Sequence, residues 1–467
     1  MRKTTQQTRR LLTIVSLLAS FWFTAFIKIR GRSEEIDKKR AVLLRRHIEQ
    51  LGSVFVKFGQ FLSIHPIFLP PLYSAELFYL LESVPAFATE DVVKMFEEEF
   101  SQHPEALFES FTREPLAAAS FGQVHEAILK SGKKVAVKVQ RPQIEQIVAQ
   151  DIFLMKLLVK MVDILPLGPN KFSDMVKEFE LWTKEELDYV TEAQLTEEYA
   201  TFVNRKRRTQ IFAPKVYKKY STKRILTTEF IEGVTISKIL LALRNNDKKF
   251  LEELKRMGFS QKELALQITN ESLKQIYLQG FFHGDPHPAN IIFTNDARLA
   301  YIDFGICGRL TKNERIIALR YARFFWLQDW ENAFDEILQL CDTSRIKNIQ
   351  QFKRDFIKLF STRSDNQPRK GSSQFRASNF IHLMLQLLQK HNAVLPINTM
   401  LYYRTVLVIR NVSFFLYPEM EAKEVIQGLK HISILNVVAE LPSLFTKEKR
   451  MKQLARLINF FEKEIIS

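Results

Sequence analysis

Along most of this chain, apolar residues recur with the period of amphipathic helices, which predicts a helix-rich protein. Residues 34–110 contain several such stretches separated by prolines, a pattern that predicts a series of short helices. The helical pattern resumes after Thr311, a predicted N-cap, and again over residues 380–467. Between these two regions, the polar stretch Ser361–Gln374 predicts a loop.

Two short apolar runs depart from this period and predict a β-hairpin. Ile291–Phe293 and Leu299–Tyr301 flank the turn Thr294–Asp296, whose residues favour chain reversal. The hairpin would hold the segments on either side of it close together. Those two segments carry the most specific chemistry in the chain.

The residues beside the hairpin have the spacing of a phosphoryl-transfer site. Asp285 lies five positions before Asn290, and the turn Asp303-Phe304-Gly305 begins thirteen residues after Asn290. Protein kinases use this spacing, with a catalytic carboxylate in the first motif and Mg²⁺ ligands at the Asn and the D-F-G Asp. The sequence therefore predicts Mg-ATP chemistry, and an ordinary Asp/His-rich turn is the alternative.

Upstream segments match the nucleotide-holding parts of a kinase. Val135-Ala136-Val137-Lys138 follows the V-A-I-K strand pattern, whose Lys contacts the α- and β-phosphates, although a strand-end Lys can also protect a sheet edge. Residues 117–124 occupy the register of the glycine-rich loop, with Ala117 and Ala119 at its first two glycine positions. Because Ala reaches positive φ less freely than Gly, this loop should be stiffer. A helix start after Pro115 is the alternative.

Taken together, five motifs resemble those of the UbiB (AarF-type, ABC1) atypical kinases over residues 35–435. The motifs are Lys57-Phe58-Gly59-Gln60 (K-x-G-Q), Ala117-Ala118-Ala119-Ser120, Glu186-Leu187-Asp188 (E-x-D), the His283–Pro288 loop and the Asp303-Phe304-Gly305 turn. The resemblance implies an α+β, bilobal protein-kinase-like fold with a small β-rich N-lobe, a helical C-lobe and an N-terminal helical extension. It implies ATP and Mg²⁺ as cofactors, and a role in ubiquinone (prenylated quinone) biosynthesis.

The resemblance also implies a role for each matching residue. Asp285, Lys138, Glu192, Lys57 and Gln60 would be catalytic, with Glu192 paired to Lys138 and Lys57 facing the E-x-D acids. Asn290 and Asp303 would bind Mg²⁺. Nucleotide contacts would come from Ala117, Ala118, Ala119, Ser120, Phe121, Gly122, Val124, Lys138, Glu186, Asp188 and the hinge residues Glu229 and Ile231.

Two further features bear on this reading. Glu185, Asp188 and Glu192 have a spacing that would place them on one face of a single helix. After the K-x-G-Q box, residues 63–70 lack the Arg and the Asp that the family usually carries there, so the function of those two residues is in doubt here.

The expected regions are 1–32, a membrane-anchor segment; 33–110, the extension; 111–233, the N-lobe; and 234–467, the C-lobe.

Charge is concentrated near the beginning of the chain. The net charge is +16, and residues 1–40 contain ten Lys or Arg against three acids. A second basic cluster occupies residues 205–208. No nucleic-acid-binding motif accompanies these charges, so anionic lipid is the predicted partner rather than nucleic acid. Two cysteines, Cys307 and Cys341, provide neither a disulfide framework nor a metal site.

An uncharged segment, Leu11–Ile27, lies between two basic groups. Its seventeen residues are at the short limit for a membrane span. We expect a membrane anchor, with an interfacial helix and an organellar presequence as alternatives. The predicted location is a membrane with the kinase domain on the cytoplasmic side of a bacterial inner membrane, or a mitochondrial or plastid membrane.

Three functional classes are consistent with these motifs. The preferred one is an ATPase or small-molecule kinase that supports prenylated-quinone biosynthesis, with quinone precursors or their biosynthetic enzymes as partners. A protein kinase is disfavoured because no A-P-E element follows Gly305 and the K-x-G-Q box would obstruct a peptide. A non-catalytic pseudokinase is disfavoured because Lys138, Glu192, Asp285, Asn290 and Asp303 are all present.

Overall fold

A computed structural model describes most of the chain. The described residues are 2–28, 33–63, 71–77, 80, 85–163, 172–203, 210–326, 328–344, 346–364, 384, 387, 388, 390–393, 395–420, 424, 425, 427 and 428. They form a small sheet-containing lobe, a larger helical lobe and a group of N-terminal helices packed beside the smaller lobe. The predicted α+β, bilobal kinase-like architecture is confirmed.

The N-terminal part is helical, as its proline-separated pattern predicts. Its elements are α1 (Arg2–Trp22) with a π-helical continuation (Phe23–Lys28), α2 (Glu34–Leu51), α3 (Ser53–Ser63), α4 (Pro71–Leu77), α5 (Thr89–Phe100) and α6 (Pro104–Leu107). Gly59, in the K-x-G-Q box on α3, allows a close approach, since a Cβ there would lie 2.3 Å from Cδ1 of Leu80. The box glycine therefore has a packing role.

The smaller lobe is an antiparallel sheet with helices beside it. Its elements are β1 (Phe108–Phe111), β2 (Ala117–Ala118), β3 (Gly122–Leu129), β4 (Lys134–Gln140), α7 (Ile144–Val162), α8 (Phe172–Glu186), α9 (Tyr189–Val203) and β6 (Ile225–Glu229). The short strand β5 (Ile211–Phe212) precedes β6 in sequence but pairs with Leu299 and Ala300 of the larger lobe. The strand order is β1-β3-β4-β6, and β2 pairs with β3. Alternating burial along β4 leaves Lys138 on the less buried side of the sheet.

The larger lobe is mainly helical, with small sheets that carry the catalytic motifs. Its elements are β7 (Gly233–Thr235), α10 (Ile236–Asn245), α11 (Lys248–Arg256), α12 (Gln261–Lys274), β8 (Phe281–His283), β9 (Ile291–Thr294), β10 (Leu299–Tyr301), β11 (Cys307–Arg309), α13 (Lys312–Trp326), α14 (Trp330–Gln339), α15 (Ile349–Ser364) and α16 (Ile397–Leu416). Antiparallel pairing of β9 with β10 confirms the predicted hairpin. Thr311 accepts from the N–H of Glu314, which confirms the predicted helix start.

Two sequence predictions are wrong in detail. The acidic helix is interrupted, because α8 ends at Glu186 and α9 begins at Tyr189. The reason is that Asp188 accepts hydrogen bonds from the N–H of Val190 and the hydroxyl of Thr191, and so caps a new helix. The predicted loop at 361–374 begins later than expected, because α15 continues to Ser364. Residues 365–374 lie outside the described part of the chain.

The N-terminal helices share one hydrophobic core with the segment between Lys138 and Glu192. Ile14 of α1 is fully buried, and it belongs to the same cluster as residues of α2, α3, α7 and α8. Nη2 of Arg10 donates to Oδ2 of Asp151 at 2.6 Å and to the carbonyl of Leu51 at 2.6 Å. The apolar run that begins at Asp151 therefore packs against the N-terminal helices.

Helix α1 confirms that Leu11–Ile27 is helical, and its outward side is apolar. Leu12 and Trp22 are 63% and 59% exposed. The helices in the described ranges include none that combines the length and the hydropathy required to span a membrane.

Candidate active site

The V-A-I-K lysine joins the two lobes through its acidic partners. Nζ of Lys138 donates to both carboxylate oxygens of Glu192 at 2.9 Å, and to Oδ2 of Asp303 at 3.2 Å. Lys138 comes from β4, Glu192 from the first turn of α9 and Asp303 from the segment after β10. The structure thus brings together three residues that are far apart in sequence, as the motifs predict.

These charges shift one another's pKa values strongly. Burial lowers the pKa of Lys138, but the charges of Asp303 and Glu192 outweigh it and hold the pKa well above its ordinary value. Burial raises the pKa of Glu192 to about 7 despite Lys138. Burial opposes ionisation of Asp303, but Lys138 and the N–H of Gly305 lower its pKa to about 2. Asp303 therefore remains an anion that can bind a cation at any physiological pH.

The catalytic loop and the D-F-G turn are tied together by one histidine. Nε2 of His283 donates to the carbonyl of Asp303, while its Nδ1 accepts from the N–H of Asp285 at 3.1 Å. Burial lowers the pKa of His283, which is consistent with a neutral ring that donates at one nitrogen and accepts at the other. His283 thus sets the spacing of the two acidic motifs without itself carrying charge.

Asn290 completes this part of the site. Its side-chain amide donates to the carbonyl of Asp285 at 3.3 Å, and its own carbonyl accepts from the N–H of Ile302 at 3.0 Å. These bonds hold Asn290 beside the segment that leads to Asp303. The amide oxygen of Asn290 has no hydrogen-bond donor among the described residues and is available as a ligand.

The donor set suits Mg²⁺ held jointly with phosphate oxygens. Mg²⁺ prefers oxygen ligands and commonly binds proteins through one or two carboxylates together with substrate phosphates. Asn290 and Asp303 offer an amide oxygen and a carboxylate whose side chain is 40% exposed. Across the residues that the structure describes, no group of three or more His, Cys, Asp or Glu residues is positioned to hold a metal ion.

A residue that sequence reasoning missed lies directly against the catalytic carboxylate. Nη2 of Arg404, on α16, is 3.1 Å from Oδ1 of Asp285. Burial opposes ionisation of Asp285, but the charges of Arg404, His287 and Lys57 outweigh it and lower its pKa. The next residue, Thr405, donates its hydroxyl to the carbonyl of His283 at 3.3 Å. No motif marks either α16 residue, so only their position in the fold reveals them.

The K-x-G-Q lysine reaches the site as predicted, but it meets only one of the two E-x-D acids. Nζ of Lys57 donates to Oε1 of Glu186 and lies 4.6 Å from the ring centroid of Trp182. The guanidinium of Arg404 lies 5.5 Å from the same ring. Burial raises the pKa of Glu186 in spite of Lys57. Trp182, another residue that the motifs did not mark, therefore contacts both cations beside the catalytic loop.

Two predicted site residues have other partners. Asp188 caps α9, as described above, and does not meet Lys57. Gln60 donates to the carbonyl of Leu80 at 3.4 Å. Their predicted roles in nucleotide binding and catalysis stay predictions.

The alanine-rich segment, residues 117–124, forms a tight strand connection rather than a helix. Ala117 and Ala118 form β2, which pairs with Val124 and Gln123 of β3. The N–H of Ala119 donates to the carbonyl of Gly122 at 2.7 Å. A Cβ at Gly122 would lie 2.6 Å from the carbonyl oxygen of Val139, so only glycine fits there. The segment that contains Ser120 and Phe121 is thus held beside β4, where a kinase holds its phosphate loop.

The predicted hinge lies between the two lobes. Glu229 ends β6 in the smaller lobe, and β7 begins at Gly233 in the larger one. The carboxylate of Glu229 accepts from the N–H of Lys215 at 3.2 Å, so its side chain has a structural partner. The backbone N–H and carbonyl of Ile231 have no protein partner in the described ranges, which leaves them available to a purine base.

Both cysteines are free thiols, as predicted. Burial raises the pKa of Cys307, and it raises that of Cys341 to about 12, so both stay protonated and neutral.

The fold and the motif geometry together define a protein-kinase-like protein of the atypical class. Residues 79–335 match the model of the ABC1 atypical kinase-like domain. The chain belongs to the UbiB/ABC1 family of atypical kinases.

Relatives in plants and bacteria share this domain. ACTIVITY OF BC1 COMPLEX KINASE 3, a chloroplastic protein of Arabidopsis thaliana, is 35% identical over 329 residues, which are 69% of this chain and 44% of that protein. An uncharacterized Synechocystis protein, slr0889, is 31% identical over 362 residues, or 76% of this chain and 85% of its own length. A solved complex of Rv3197 with erythromycin from Mycobacterium tuberculosis has a TM-score of 0.49 at 21% identity, covering 77% of this chain and 86% of that one.

Proposed function

We propose that this protein binds Mg-ATP between its lobes and transfers or hydrolyses the γ-phosphate in support of prenylated-quinone biosynthesis at a membrane. The observation that carries the proposal is the junction of Lys138, Glu192 and Asp303, with Nζ of Lys138 within 3.2 Å of both acids. Kinases require this pairing of lysine, helix glutamate and metal-binding aspartate for phosphoryl transfer. Family membership supports the kinase-like class, and the quinone role rests on the resemblance alone.

In this proposal, each residue acts on a defined part of the nucleotide. Lys138 contacts the α- and β-phosphates while Glu192 holds its ammonium in place. Asn290 and Asp303 hold Mg²⁺, which would neutralise charge on the phosphates during transfer. Asp285 orients the acceptor hydroxyl or water, and the backbone of Ile231 binds the adenine.

The arrangement around Lys57 favours a small acceptor over a peptide. Lys57 extends from α3 to Glu186 at the end of α8, and it lies 5.8 Å from the ring centroid of Phe121 in the alanine-rich segment. Helix α3 thus lies beside the segment that would face the phosphates, where it would restrict access for a peptide chain. A small phenolic precursor or water needs much less room.

The outer side of α1 supports a membrane location. Leu12, Val15, Trp22 and Phe23 are exposed, whereas Ile14 on the other side is buried. Basic residues flank the uncharged segment Leu11–Ile27 in the sequence, and a cationic helix with an apolar face binds anionic membrane surfaces. We propose interfacial contact, in which α1 lies on the membrane while it stays packed against the kinase core.

The decisive experiment is ATP turnover by purified protein, with and without anionic liposomes and a quinone-precursor phenol. We expect Mg²⁺-dependent turnover that increases when both additions are present. Lys57→Ala should change turnover or acceptor choice and leave membrane attachment intact. Absence of nucleotide binding under all conditions would refute the proposal, and turnover insensitive to lipid and phenol would refute its quinone and membrane parts.

A further inference from the structure

Arg141, which directly follows β4, holds the backbone of the alanine-rich segment from one side. Its Nε lies 3.2 Å from the carbonyl oxygen of Ser120, and its Nη2 lies 3.2 Å from that of Ala119. Its own backbone N–H donates to the carbonyl of Phe121 at 2.8 Å. One residue therefore binds three successive carbonyl groups of the segment that would face the phosphates.

The same guanidinium also anchors the segment to the N-terminal extension. Nη2 of Arg141 donates to the carbonyl of Pro85 at 2.5 Å, and the guanidinium lies 5.4 Å from the ring centroid of Phe87. No carboxylate pairs with Arg141 in the part of the chain that the structure describes. Its contacts are thus with neutral groups, so it holds the backbone in place rather than neutralising a charge.

Holding the carbonyls fixes the direction of the amides. In a trans peptide the N–H points away from the C=O, so the amides of Ser120 and Phe121 point away from the Arg141 guanidinium. Neither amide donates to an acceptor in the described ranges, although both residues are more than 90% buried. Successive unpaired N–H groups in a turn can bind an anion.

We propose that Arg141 is a positioning residue that orients the Ser120 and Phe121 amides toward the nucleotide phosphates. Lysine cannot do the same, because its single ammonium lacks the planar fork that reaches several fixed carbonyls together. Alanine at the glycine positions stiffens the backbone of the segment. Arg141 then determines the direction in which the amides of that segment point. This assignment rests on the proposed nucleotide-binding function.

The test is Arg141→Lys, with Arg224→Lys as the matched control. Arg224 lines a surface cleft together with Arg141, but it bonds to Glu98 and Glu99 rather than to the alanine-rich segment. Hydrogen–deuterium exchange of residues 117–124 is measured without nucleotide, and ATP, ADP and adenosine affinities are measured by calorimetry. If Arg141→Lys does not fold, Arg141→Gln, which keeps an amide donor without the charge, replaces it.

We expect faster exchange in this peptide for Arg141→Lys only. ATP and ADP should bind about tenfold more weakly, equivalent to about 1.4 kcal/mol, since one phosphate hydrogen bond is lost. Adenosine, which has no phosphate, should bind within about twofold of the wild-type affinity, a change of no more than about 0.4 kcal/mol. Unchanged exchange, or an equal loss for adenosine, would overturn the assignment. Because exchange needs no nucleotide, a wild-type protein that binds none would count against the proposed function instead.

Discussion

Nη2 of Arg404 lies 3.1 Å from Oδ1 of Asp285, which joins the late helix α16 to the catalytic loop. The Arg404 side chain is 7% exposed, and no acceptor within the described residues satisfies its Nε. A buried guanidinium next to a carboxylate stabilises the anion and makes it a weaker base. The position of α16 thus determines the basicity of the residue that would orient the acceptor.

The first prediction is that Arg404→Met raises the pKa of Asp285, because the cation that lowers it is removed. The acidic limb of the pH–turnover profile should move to higher pH, and turnover at neutral pH should fall by about tenfold, less than the full 10²–10⁴-fold that acid–base catalysis typically contributes, because the Asp285 carboxylate is still present. Arg410→Met, on the same helix, is the control and should keep the wild-type profile. A profile unchanged in Arg404→Met would show that the ion pair has no catalytic effect.

The second prediction concerns the metal site. Asp303→Asn should weaken Mg-ATP binding because the remaining amide is a poorer Mg²⁺ ligand and leaves Lys138 with one acidic partner. Thermal-shift titration should show an intact fold and a nucleotide-induced shift reduced by more than half. Asp296→Asn, in the turn of the same hairpin, should behave like the wild type. An undiminished shift in the Asp303 variant would remove this residue from the site.

The third prediction concerns the alanine-rich segment. Ala119 is exposed and its φ is not positive, so it is unstrained, and Ala119→Gly should chiefly add backbone freedom. We expect the ratio of ATP to ADP affinity to change by several-fold, whereas Ala119→Val should block nucleotide binding. Ala297→Gly, at a turn with φ of 59°, is the control and should leave the ratio unchanged. Equal affinities in Ala119→Gly and wild type would contradict a nucleotide role for the segment.

The fourth prediction uses the pKa of Glu192, which burial raises from 4.5 to about 7 against the charge of Lys138. The folded protein therefore holds this proton more tightly than the unfolded chain does, so the contribution of Glu192 to the free energy of unfolding falls as pH rises from 4.5 to about 7. Glu192→Gln mimics the protonated state.

Its Tm should exceed that of the wild type at pH 8 by a few degrees, at roughly 2–4 °C for each kcal/mol, and the difference should shrink at pH 5. Turnover should nevertheless be lost, because Lys138 needs the carboxylate. Glu197→Gln, on the same helix, should show no such pH-dependent difference in Tm from the wild type. A lower Tm for Glu192→Gln at pH 8 would show that the ion pair outweighs burial.

The fifth prediction concerns the attachment of α1. Arg10→Met leaves Asp151, whose side chain is 2% exposed, without the cation that pairs with it. The expected loss in the free energy of unfolding is about 2 kcal/mol, between the values for exposed and buried pairs. Chemical denaturation should show that Arg10→Met/Asp151→Leu recovers most of this loss, and equal losses in the single and double variants would contradict the pairing.

Removal of residues 1–32 should impose a larger loss, because it removes Arg10 and also takes the buried Ile14 out of the shared core. It should also release the protein from anionic liposomes in sedimentation assays while nucleotide binding persists, because the nucleotide motifs lie downstream. A truncated protein that still sediments with liposomes would show that other surfaces bind the membrane.

Sequence predicted the parts of the site that depend on short-range geometry. Asp285, Asn290 and Asp303 lie within one loop–hairpin–turn, and local pairing of β9 with β10 is enough to bring them together. The E-x-D segment shows where such reasoning stops. Helical spacing predicted one acidic face, but the carboxylate of Asp188 competes for backbone N–H groups and divides the helix.

The sequence by itself determined the kinase-like class and predicted the residues proposed to meet Mg-ATP, because both depend on the spacing of residues within short motifs. Only the tertiary structure decided that Arg404 faces Asp285, that Trp182 contacts both Lys57 and Arg404, and that Arg141 holds the alanine-rich segment. These contacts join elements that pack together across the fold. No periodicity encodes them, since they depend on how whole helices and strands fit against one another rather than on any local preference of the chain.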